Sequence, residues 1–470
     1  MKFKHFFITA ALASFVFVGC DNDDDDQPEI GAIEVSTDTG TYEEGAGTVG
    51  FSFSTASAND TDVTITYEVT GSATSGEDYE ALSGSVVLPA GNVSVNQSLT
   101  LIDDDEVEPS EDIILTIKTI TGGQNLVIGL KDTATLTIID NDSYPFENGI
   151  IVVHEGNFFQ GNASVSFVSS DYSTVQNGIF KTVNDVEAWG DTAQSMAFNG
   201  DLGYIVVNVS NKVEVVNRYT FESVATIDTE LSNPRYMVIA NGKGYVTNWG
   251  DGSNADDDYV AVIDLEENTV TAKIPVAEGP EQLVAKENTI YVAMQGGWSQ
   301  NNIVTVIDAT TNTVTNTITV GDRPNSLQLD AQGNLWVLSG GNPAWSGTET
   351  MGQLDKINTA DNTVAETFDF ATTEHPGALA IDGSSLYYYM SSSVYEMETS
   401  SSALPETAEI TGLSFYDMAV NDGILYGVDA KDYTSNGSLE IYDLGDNSLL
   451  ASKEVSVIPG EIYFNGAADR

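Results

Sequence analysis

Acidic residues follow the ends of several short β-type runs in the first third of the chain, where they could bind a metal ion. The groups are Glu43–Glu44, Glu77–Asp78, Asp103–Glu111 (DDDEVEPSE) and Asp140–Asp142 (DND). Carboxylates crowded at one end of a β-sandwich repel one another unless a hard cation lies between them. Calcium, with roughly six to eight oxygen ligands, suits such a cluster.

The runs between these acidic groups predict an antiparallel β-sandwich over residues 28–142. TVGFSFS, DVTITYEV and TATLTIID alternate apolar and polar residues, and Gly, Asn and Asp clusters separate them. The phrases SGEDYEALSGSVVLPAG, LTLIDDDEVEPSEDIILTI and TATLTIIDND resemble a Calx-β domain. This resemblance implies calcium where the acidic loops converge, with the candidate ligands Glu44, Asp78, Asp103, Asp104, Glu108, Glu111, Asp140 and Asp142. The alternative is a stiff acidic spacer that holds no metal.

Tryptophans follow predicted strands in the rest of the chain, in phrases that recur. KGYVTNWGDG contains Trp249, TIYVAMQGGW ends at Trp298, and NLWVLSGGNPAW ends at Trp345. Large aromatic side chains beside amides and a few ions are typical of a small-molecule site. Whether these residues share one site depends on the architecture of residues 149–470.

A repeat with a period near forty residues organises this second part of the chain. The phrases AQSMAFNG, PRYMVIANG, PEQLVAKEN, PNSLQLDAQG, PGALAIDG, FYDMAVNDG and PGEIYFNG align at one apolar position. The residues at that position are Met196, Met237, Leu283, Leu327, Leu379, Met418 and Ile462. Further strands follow each phrase, and four strands per unit predict a β-propeller.

The two ends of the propeller predict its closure. PGEIYFNG supplies a first strand only, and the missing strands are GIIVVHEGN, SVSFVSS and QNGIFKTV at the start of the domain. Seven blades then close by pairing of the first and last strands, which removes the exposed edges of an open ring. With YVTN at Tyr245–Asn248, this part resembles the YVTN propeller family. The alternative is a string of sandwiches or an open solenoid.

The alternating strand directions in a blade bring the tryptophans to one rim. Loops between second and third strands share a rim with the loops that enter each blade; Trp249, Trp298 and Trp345 lie in the former and Trp189 in the latter. The candidate ligand-binding residues on this rim are His154, Phe158, Trp189, Asp191, Arg235, Tyr236, Trp249, Asp251, Gln295, Trp298, Arg323 and Trp345. The alternative is that the tryptophans pack between blades and the loops only cover the ring.

Longer phrases resemble surface lipoprotein propellers of bacteria that use TonB-dependent transporters. These phrases are HEGNFFQGNASVSFV, WGDTAQSM, NPRYMVIANGKGYVTN, DAKDYTSNGSLEIYD and IPGEIYF, in this order. The resemblance implies capture of a corrinoid, cobalamin, and its transfer to an outer-membrane transporter. His154 stands where that pattern often has Asn, and neither the acidic insert Asp251–Asp258 nor the Calx-β-like domain belongs to it.

The N-terminus predicts a lipoprotein signal peptide of residues 1–19. Lys2 and Lys4 precede an apolar run that is too short for a stable membrane-spanning helix. The run ends in FVGC, which is similar to a bacterial lipobox with Cys20 as the lipidated residue. Residues 20–27 form an acidic tether that resembles the tag of lipoproteins on the outer face of the outer membrane, and residues 143–148 form a linker. The alternative is an ordinary signal peptide.

Charge and motifs limit the functions that remain. With 16 Lys and Arg against 71 Asp and Glu, the net charge of −55 excludes nucleic acid as a partner because such a surface repels phosphates. No zinc, phosphate-loop, dinucleotide or nucleophile-elbow motif is present, so we expect neither an enzyme nor a catalytic cofactor. We therefore expect an all-β surface lipoprotein that binds a small ligand. The alternatives are an adhesion or scaffold protein that binds glycan or protein, and a propeller hydrolase.

Overall fold

The computed structural model describes residues 31–252, 254 and 256–468, and it divides into two compact units between Asp142 and Ser143. The predicted signal peptide, Cys20 and the tether of residues 20–27 lie outside the described residues. The regular secondary structure of both units is almost entirely β-strand, which confirms the all-β prediction. Within the described part, no helix has the length and apolar character needed to cross a membrane.

The first unit is a sandwich of two sheets. Its strands are β1 (Gly31–Thr37), β2 (Thr41–Glu43), β3 (Thr48–Ser54), β4 (Val63–Gly71), β5 (Ser85–Leu88), β6 (Ser94–Thr100), β7 (Glu111–Gly122), β8 (Leu126–Ile128) and β9 (Thr133–Ile139). One sheet has the order β6-β3-β1-β8 and the other β2-β9-β7-β4-β5. Alternate residues of each strand, such as Val63, Ile65 and Tyr67 of β4, are buried in the core between the sheets.

The second unit is a ring of seven four-stranded antiparallel sheets. Its first strands are β10 (Gly149–His154), β11 (Ser164–Ser169) and β12 (Val175–Asn177), followed by helix α1 (Ile179–Val183). The next three blades are β13 (Ala193–Asn199), β14 (Leu202–Val207), β15 (Lys212–Asn217), β16 (Ser223–Ile227); β17 (Pro234–Ala240), β18 (Lys243–Asn248), β19 (Tyr259–Asp264), β20 (Thr269–Pro275); and β21 (Pro280–Lys286), β22 (Thr289–Met294), β23 (Ile303–Asp308), β24 (Thr313–Thr319).

The remaining strands complete the ring. They are β25 (Pro324–Leu329), β26 (Leu335–Ser339), β27 (Gln353–Asn358), β28 (Thr363–Asp369); β29 (Gly377–Asp382), β30 (Ser385–Met390), β31 (Ser393–Glu398), β32 (Ile410–Thr411); β33 (Asp417–Asn421), β34 (Ile424–Asp429), β35 (Asn436–Asp443), β36 (Ser448–Val457); and β37 (Pro459–Asn465). Strand β37 pairs with β10, with Ile462 opposite Val152, so the last blade combines both ends of the propeller as predicted.

The innermost strands surround the axis of the ring. Each of β13, β17, β21, β25, β29, β33 and β37 contacts the next, and β37 contacts β13, which closes the circle. Middle strands such as β19 are buried over nearly their whole length because neighbouring blades cover both faces of each sheet. Met237, for example, belongs to the same buried cluster as Val206 and Val215 of the preceding blade.

Two segments differ from the sequence prediction in local structure. The predicted strand QNGIFKTV ends at Asn177, because Gly178 takes a left-handed φ of 69° and helix α1 follows. The buried side chains of Ile179 and Phe180 hold this helix against the propeller core. Residues 143–148, predicted as a linker, also pack on the propeller, since Phe146 is buried between the rings of Phe167 and Phe221.

Bulges near the start of the innermost strands orient the side chains around the axis. The pairing register shifts between Pro234 and Met237 in β17 and between Pro280 and Leu283 in β21, and similar shifts occur in β13, β25 and β29. The residue before each of these two strands has a positive φ, which is 55° for Asn233 before β17 and 72° for Gly279 before β21. A bulge turns side chains away from the regular pleat, and here it turns them towards the axis.

Candidate functional site

A cavity of about 260 Å³ opens on the propeller axis where the innermost strands begin. Its walls are formed by Glu155, Gln194, Arg235, Tyr236, Glu281, Gln282, Gln295, Asn325, Ser326, Gly377, Ala378, Tyr416, Asp417, Gly460 and Glu461. A second cavity of about 180 Å³ shares Asp417 and Glu461 with the first and continues along the innermost strands to Val420. We call the two cavities together the central channel.

The walls of the first cavity follow the sequence repeat. Except for Glu155 and Gln295, every residue in them occupies one of the two positions before the aligned apolar residue of its repeat. Arg235 and Tyr236, for example, precede Met237. The sequence alignment identified the apolar position of each repeat but overlooked most of the two-residue pairs directly before it. These two positions vary from repeat to repeat while the rest of the phrase is regular, and that variation could have marked them as functional.

An ion pair crosses the wall of the channel. Arg235 donates two hydrogen bonds to Glu281, from Nη2 to Oε1 at 2.6 Å and from Nε to Oε2 at 3.0 Å. Burial alone would lower the pKa of Arg235, but the charge of Glu281 outweighs it and raises that pKa. The guanidinium lies 4.4 Å from the ring centre of Trp249, whose Nε1 donates to the Pro280 carbonyl at 3.0 Å. The pair therefore positions Trp249 at the channel mouth.

Two carboxyl groups on the opposite side of the channel share a proton. Asp417 and Glu461 are hydrogen-bonded to each other, and Tyr236 is hydrogen-bonded to Glu461. Burial raises the pKa of both acids; their side chains meet water in the channel but are otherwise surrounded by protein. A hydrogen bond between two carboxyl groups requires a proton, so the pair holds one proton while this bond is formed.

Glu155 completes the set of acids in the channel. Burial raises its pKa, and the charge of Arg235 opposes that shift. The hydroxyl of Tyr416 donates to Oε1 of Glu155 at 3.1 Å. The channel mouth therefore offers several oxygen acceptors in a partly dehydrated site, where hydrogen bonds to a ligand gain strength.

Several predicted ligand-binding residues lie in or around this mouth. Arg235, Tyr236 and Gln295 line the channel. Trp298 and Trp345 extend into solvent with exposed fractions of 80% and 77%, and Phe158 is also exposed. The Trp298 ring packs edge-to-face on Trp249 with a centroid distance of 6.3 Å, and the guanidinium of Arg323 lies 5.8 Å from the Trp345 ring centre. We call Trp249, Trp298, Trp345, Phe158 and Phe159 the aromatic rim.

The other four predicted residues lie outside the channel walls. Trp189 is buried against Phe180 with a centroid distance of 4.7 Å, because helix α1 covers it. Asp191 is buried and accepts backbone N–H groups of Phe159 and Gly161, so it holds the loop that carries Phe158. His154 is fully buried in the closing blade, and Asp251 lies on the exposed acidic insert.

The acidic end of the sandwich contains two clusters with the geometry of metal sites. Glu44, Asp104 and Asp142 form one, and Asp78, Glu108 and Glu111 form the other, each with oxygens within 4.8 Å of one another. Asp140 accepts the backbone N–H groups of Glu108 and Asp142, each at 2.7 Å, and so lies between the clusters. Asp103 accepts a hydrogen bond from Asn141 at 3.0 Å and joins neither cluster.

The electrostatics of these clusters fit calcium. Burial, with the charges of Asp140 and Asp142, raises the pKa of Glu44 to about 7, and burial with the neighbouring Asp78 raises the pKa of Glu111 to about 7. Oε1 of Glu44 is buried without a hydrogen-bond partner among the described residues. A cation that binds oxygen ligands would reduce the repulsion between these carboxylates and would give Oε1 of Glu44 a partner. If calcium binds, Glu44, Asp104 and Asp142 would hold one ion, and Asp78, Glu108 and Glu111 another.

Comparison with family models classifies both parts of the chain. A model described as a domain of unknown function, DUF5074, matches residues 148–438, which is more than half of the chain. The chain belongs to the DUF5074 family. A Calx-beta domain model matches residues 23–142, which confirms the predicted sandwich type. This DUF5074 protein thus combines a Calx-beta domain with a propeller.

Relatives and solved structures agree with these assignments. Sodium/calcium exchanger 1 from Rattus norvegicus is 24% identical over 202 residues, covering 38% of this chain and 20% of the exchanger, and the protein from Canis lupus familiaris matches to the same extent. The chain thus spans about a fifth of the length of these curated relatives.

Two solved structures resemble the DUF5074 protein in fold. A quinonprotein alcohol dehydrogenase-like protein from Bacteroides thetaiotaomicron has a TM-score of 0.52 and 13% identity, covering 92% of this chain and 96% of that one. A functionally unknown protein from Desulfotomaculum acetoxidans has a TM-score of 0.51 and 13% identity, covering 68% and 99%. At these identities the likeness shows the fold alone, and the resemblance to corrinoid-capturing lipoproteins stays a prediction.

Proposed function

We propose that this DUF5074 protein captures a small molecule on the aromatic rim at the mouth of the central channel. The observation that carries this proposal is the exposure of Trp298 and Trp345 beside a polar channel. Two indole rings that are largely in contact with water gain free energy when a flat ligand covers them. The acceptors at the channel mouth would then orient that ligand through its N–H groups.

A corrinoid is the ligand that we propose. Its broad macrocycle can cover the indole rings, and the amide groups at its edge can donate to Glu155 and Gln295 and accept from Arg323. The lipidated Cys20 would hold the protein at the outer membrane, facing the exterior, and a TonB-dependent transporter would receive the ligand. We infer a binding role rather than catalysis, because hydrogen bonds already engage Glu281 with Arg235 and Glu155 with Tyr416.

Calorimetric titration with cyanocobalamin tests the ligand. We expect replacement of both Trp298 and Trp345 by Ala to weaken binding by about 10- to 100-fold, because both stacking surfaces are lost. Leu450→Ala removes another exposed apolar side chain, on the outer strand β36 away from the channel, and should leave the affinity unchanged. No heat from wild-type protein with either cyanocobalamin or cobinamide at micromolar concentrations would overturn the corrinoid proposal.

A glycan is the second candidate ligand. Besides the two exposed indoles, Phe158, Phe159 and Tyr433 are exposed, and Asn157 links their loops through a hydrogen bond to the Tyr433 carbonyl. Sugars stack on such aromatic faces, so an adhesion or scaffold role would show as binding on a glycan array in the absence of corrinoid binding.

The Calx-beta domain is proposed to bind calcium in a pH-dependent manner. The pKa values of Glu44 and Glu111 are raised to about 7 in the folded domain. Their protonated forms therefore stabilise the metal-free domain at low pH, and this stabilisation is lost as pH rises through 7. Calcium requires the ionised forms, so its affinity at each site should rise about tenfold between about pH 6 and pH 8.

Titration of the full chain with calcium chloride at the two pH values checks this expectation. Glu111→Gln should weaken one site and leave the other, whereas Asp60→Asn, at an exposed position outside both clusters, should change neither. Equal affinity at both pH values, or no binding at the higher one, would contradict the assignment.

A further inference from the structure

The acidic groups that line the central channel outnumber its one cationic side chain, Arg235. The ion pairs among the described residues include Arg235 with Glu281, and none of them involves Glu155, Asp417 or Glu461. Because both oxygens of Glu281 bind Arg235, that pair is internally neutral. Glu155 and the Asp417–Glu461 pair are therefore acids without an ion-pair partner among the described residues, in a narrow channel where water screens charge poorly.

We propose that the central channel binds a protonated amine, held by the carboxyl groups of Asp417 and Glu461 and by the ring of Tyr236, beneath the aromatic rim. This ammonium site goes beyond corrinoid capture and does not depend on it. A ligand with both a flat face and an amine would occupy both sites, but an amine alone has room in the channel cavities of about 260 and 180 Å³.

The chemistry of the walls favours an organic ammonium over a metal ion. Tyrosine rings attract alkylammonium groups through their π faces, and Tyr236 and Tyr416 both line the upper cavity. Among the described residues, the groups of three acidic side chains close enough to share one metal ion lie in the sandwich and not in the channel. The guanidinium of Arg235 in the same wall would also repel a divalent cation, whereas an ammonium on a carbon stem can keep its distance from it.

The hydrogen-bonding groups around the pair match the needs of an amine. Tyr236 remains a neutral hydroxyl because burial raises its pKa, so it can continue to donate to one oxygen of Glu461 while the amine binds both carboxylates. The titratable and charged side chains around the pair are Arg235 and Tyr236 on β17, Glu281 on β21, Tyr463 on β37, Tyr416 before β33 and Glu155 after β10. The neutral polar side chains in the same walls include Gln194, Gln282 and Ser326.

Binding of the amine exchanges one cation for another. The proton between Asp417 and Glu461 leaves to solvent as the ammonium group enters, and the ammonium then donates hydrogen bonds to both carboxylates. The net charge of the channel stays the same, so the dehydrated site accepts the amine at a lower electrostatic cost than an added charge would impose. Because the proton competes with the amine, the affinity rises with pH until the pair has lost its proton.

Calorimetry of the full chain with n-butylammonium and its neutral counterpart n-butanol tests this proposal. We expect n-butylammonium to bind at least about tenfold more tightly than n-butanol, with tighter binding at about pH 8 than at about pH 6. In two buffers with different ionisation enthalpies, the lower pH should show release of up to about one proton for each amine bound.

Variants separate the channel from the rim. Asp417→Asn and Glu461→Gln should each weaken n-butylammonium binding by about tenfold or more, whereas Glu366→Gln, on the outer strand β28, should have no effect. Trp298→Ala should leave amine binding unchanged even where it weakens corrinoid binding, which distinguishes failure of the two proposals. Tyr236→Phe keeps the ring and should retain most of the affinity.

Three outcomes would overturn the proposal. The first is equal binding of n-butanol and n-butylammonium. The second is unchanged amine affinity in both Asp417→Asn and Glu461→Gln; if one of them does not fold, the other decides. The third is no saturable heat from wild-type protein with n-butylammonium at up to about 100 mM.

Discussion

Replacing Glu281 by Gln is expected to lower the free energy of unfolding of the propeller by about 3 to 5 kcal/mol. The change removes the charged partner of Arg235, whose side chain is only 16% exposed and cannot move to bulk water without disrupting the channel wall. All five tryptophans lie in the propeller, so denaturant unfolding followed by tryptophan fluorescence reports this unit and not the sandwich.

A second ion pair serves as the control for this prediction. Lys273 and Glu230 are also in contact, at 2.7 Å, but their side chains are 40% and 66% exposed. Glu230→Gln should therefore cost less than about 1 kcal/mol, since water replaces the lost partner. Equal losses in Glu281→Gln and Glu230→Gln would show that burial does not govern the strength of the Arg235 pair.

Acid is expected to destabilise the propeller through His154. This side chain is fully buried, its Nε2 contacts Oγ of Ser166 at 2.8 Å, and Ser166 in turn donates to Asn177. Burial lowers the pKa of His154 from 6.5 to about 3. The neutral form of His154 contributes its full share of stability above the pKa of histidine in the unfolded chain. This stability is lost as pH falls towards the folded-state pKa, and the loss between about pH 7 and pH 4 is about 3 kcal/mol.

The comparison of wild type with His154→Gln isolates this effect. Acids with raised pKa values, such as Asp417 and Glu461, act in the opposite direction, so the wild-type curve alone would mix the two contributions. Unfolding measured over this pH range should show a flatter dependence in His154→Gln than in wild type. His375→Gln, at a partly exposed position, is the matched control and should follow the wild-type slope. The prediction fails if His154→Gln keeps the wild-type slope.

The strand prediction was accurate where burial repeats regularly along the chain. Runs such as VAVIDL and VTVIDA form the middle strands β19 and β23, because sheets covered on both faces need continuous apolar segments. The prediction failed at Ile179–Val183, where a short apolar run suits a strand and a helix equally well. The left-handed φ of Gly178 ends the strand, and the packing of Phe180 on Trp189 stabilises the helix that follows.

The predicted site residues lie together to different extents in the two units, for a physical reason. Six of the eight predicted calcium ligands form two clusters, because their loops follow strand ends on one side of a small sandwich. The rim prediction found Arg235, Tyr236 and Gln295 in the channel wall but overlooked Glu155, Glu281, Asp417 and Glu461. Those acids come from three different blades, with Glu155 and Glu461 at opposite ends of the propeller sequence, and no local pattern indicates that they face one another.

The sequence by itself determined the number of blades, their closure by the two ends of the propeller and the Calx-beta sandwich. Each of these follows from periodic burial and from turns, which are local properties repeated many times. Only the tertiary structure decided which side chains meet on the axis and which tryptophans are exposed. Bulges rotate residues out of the regular pleat, and the residues that meet on the axis are far apart in the chain, so their contacts depend on the closed ring as a whole.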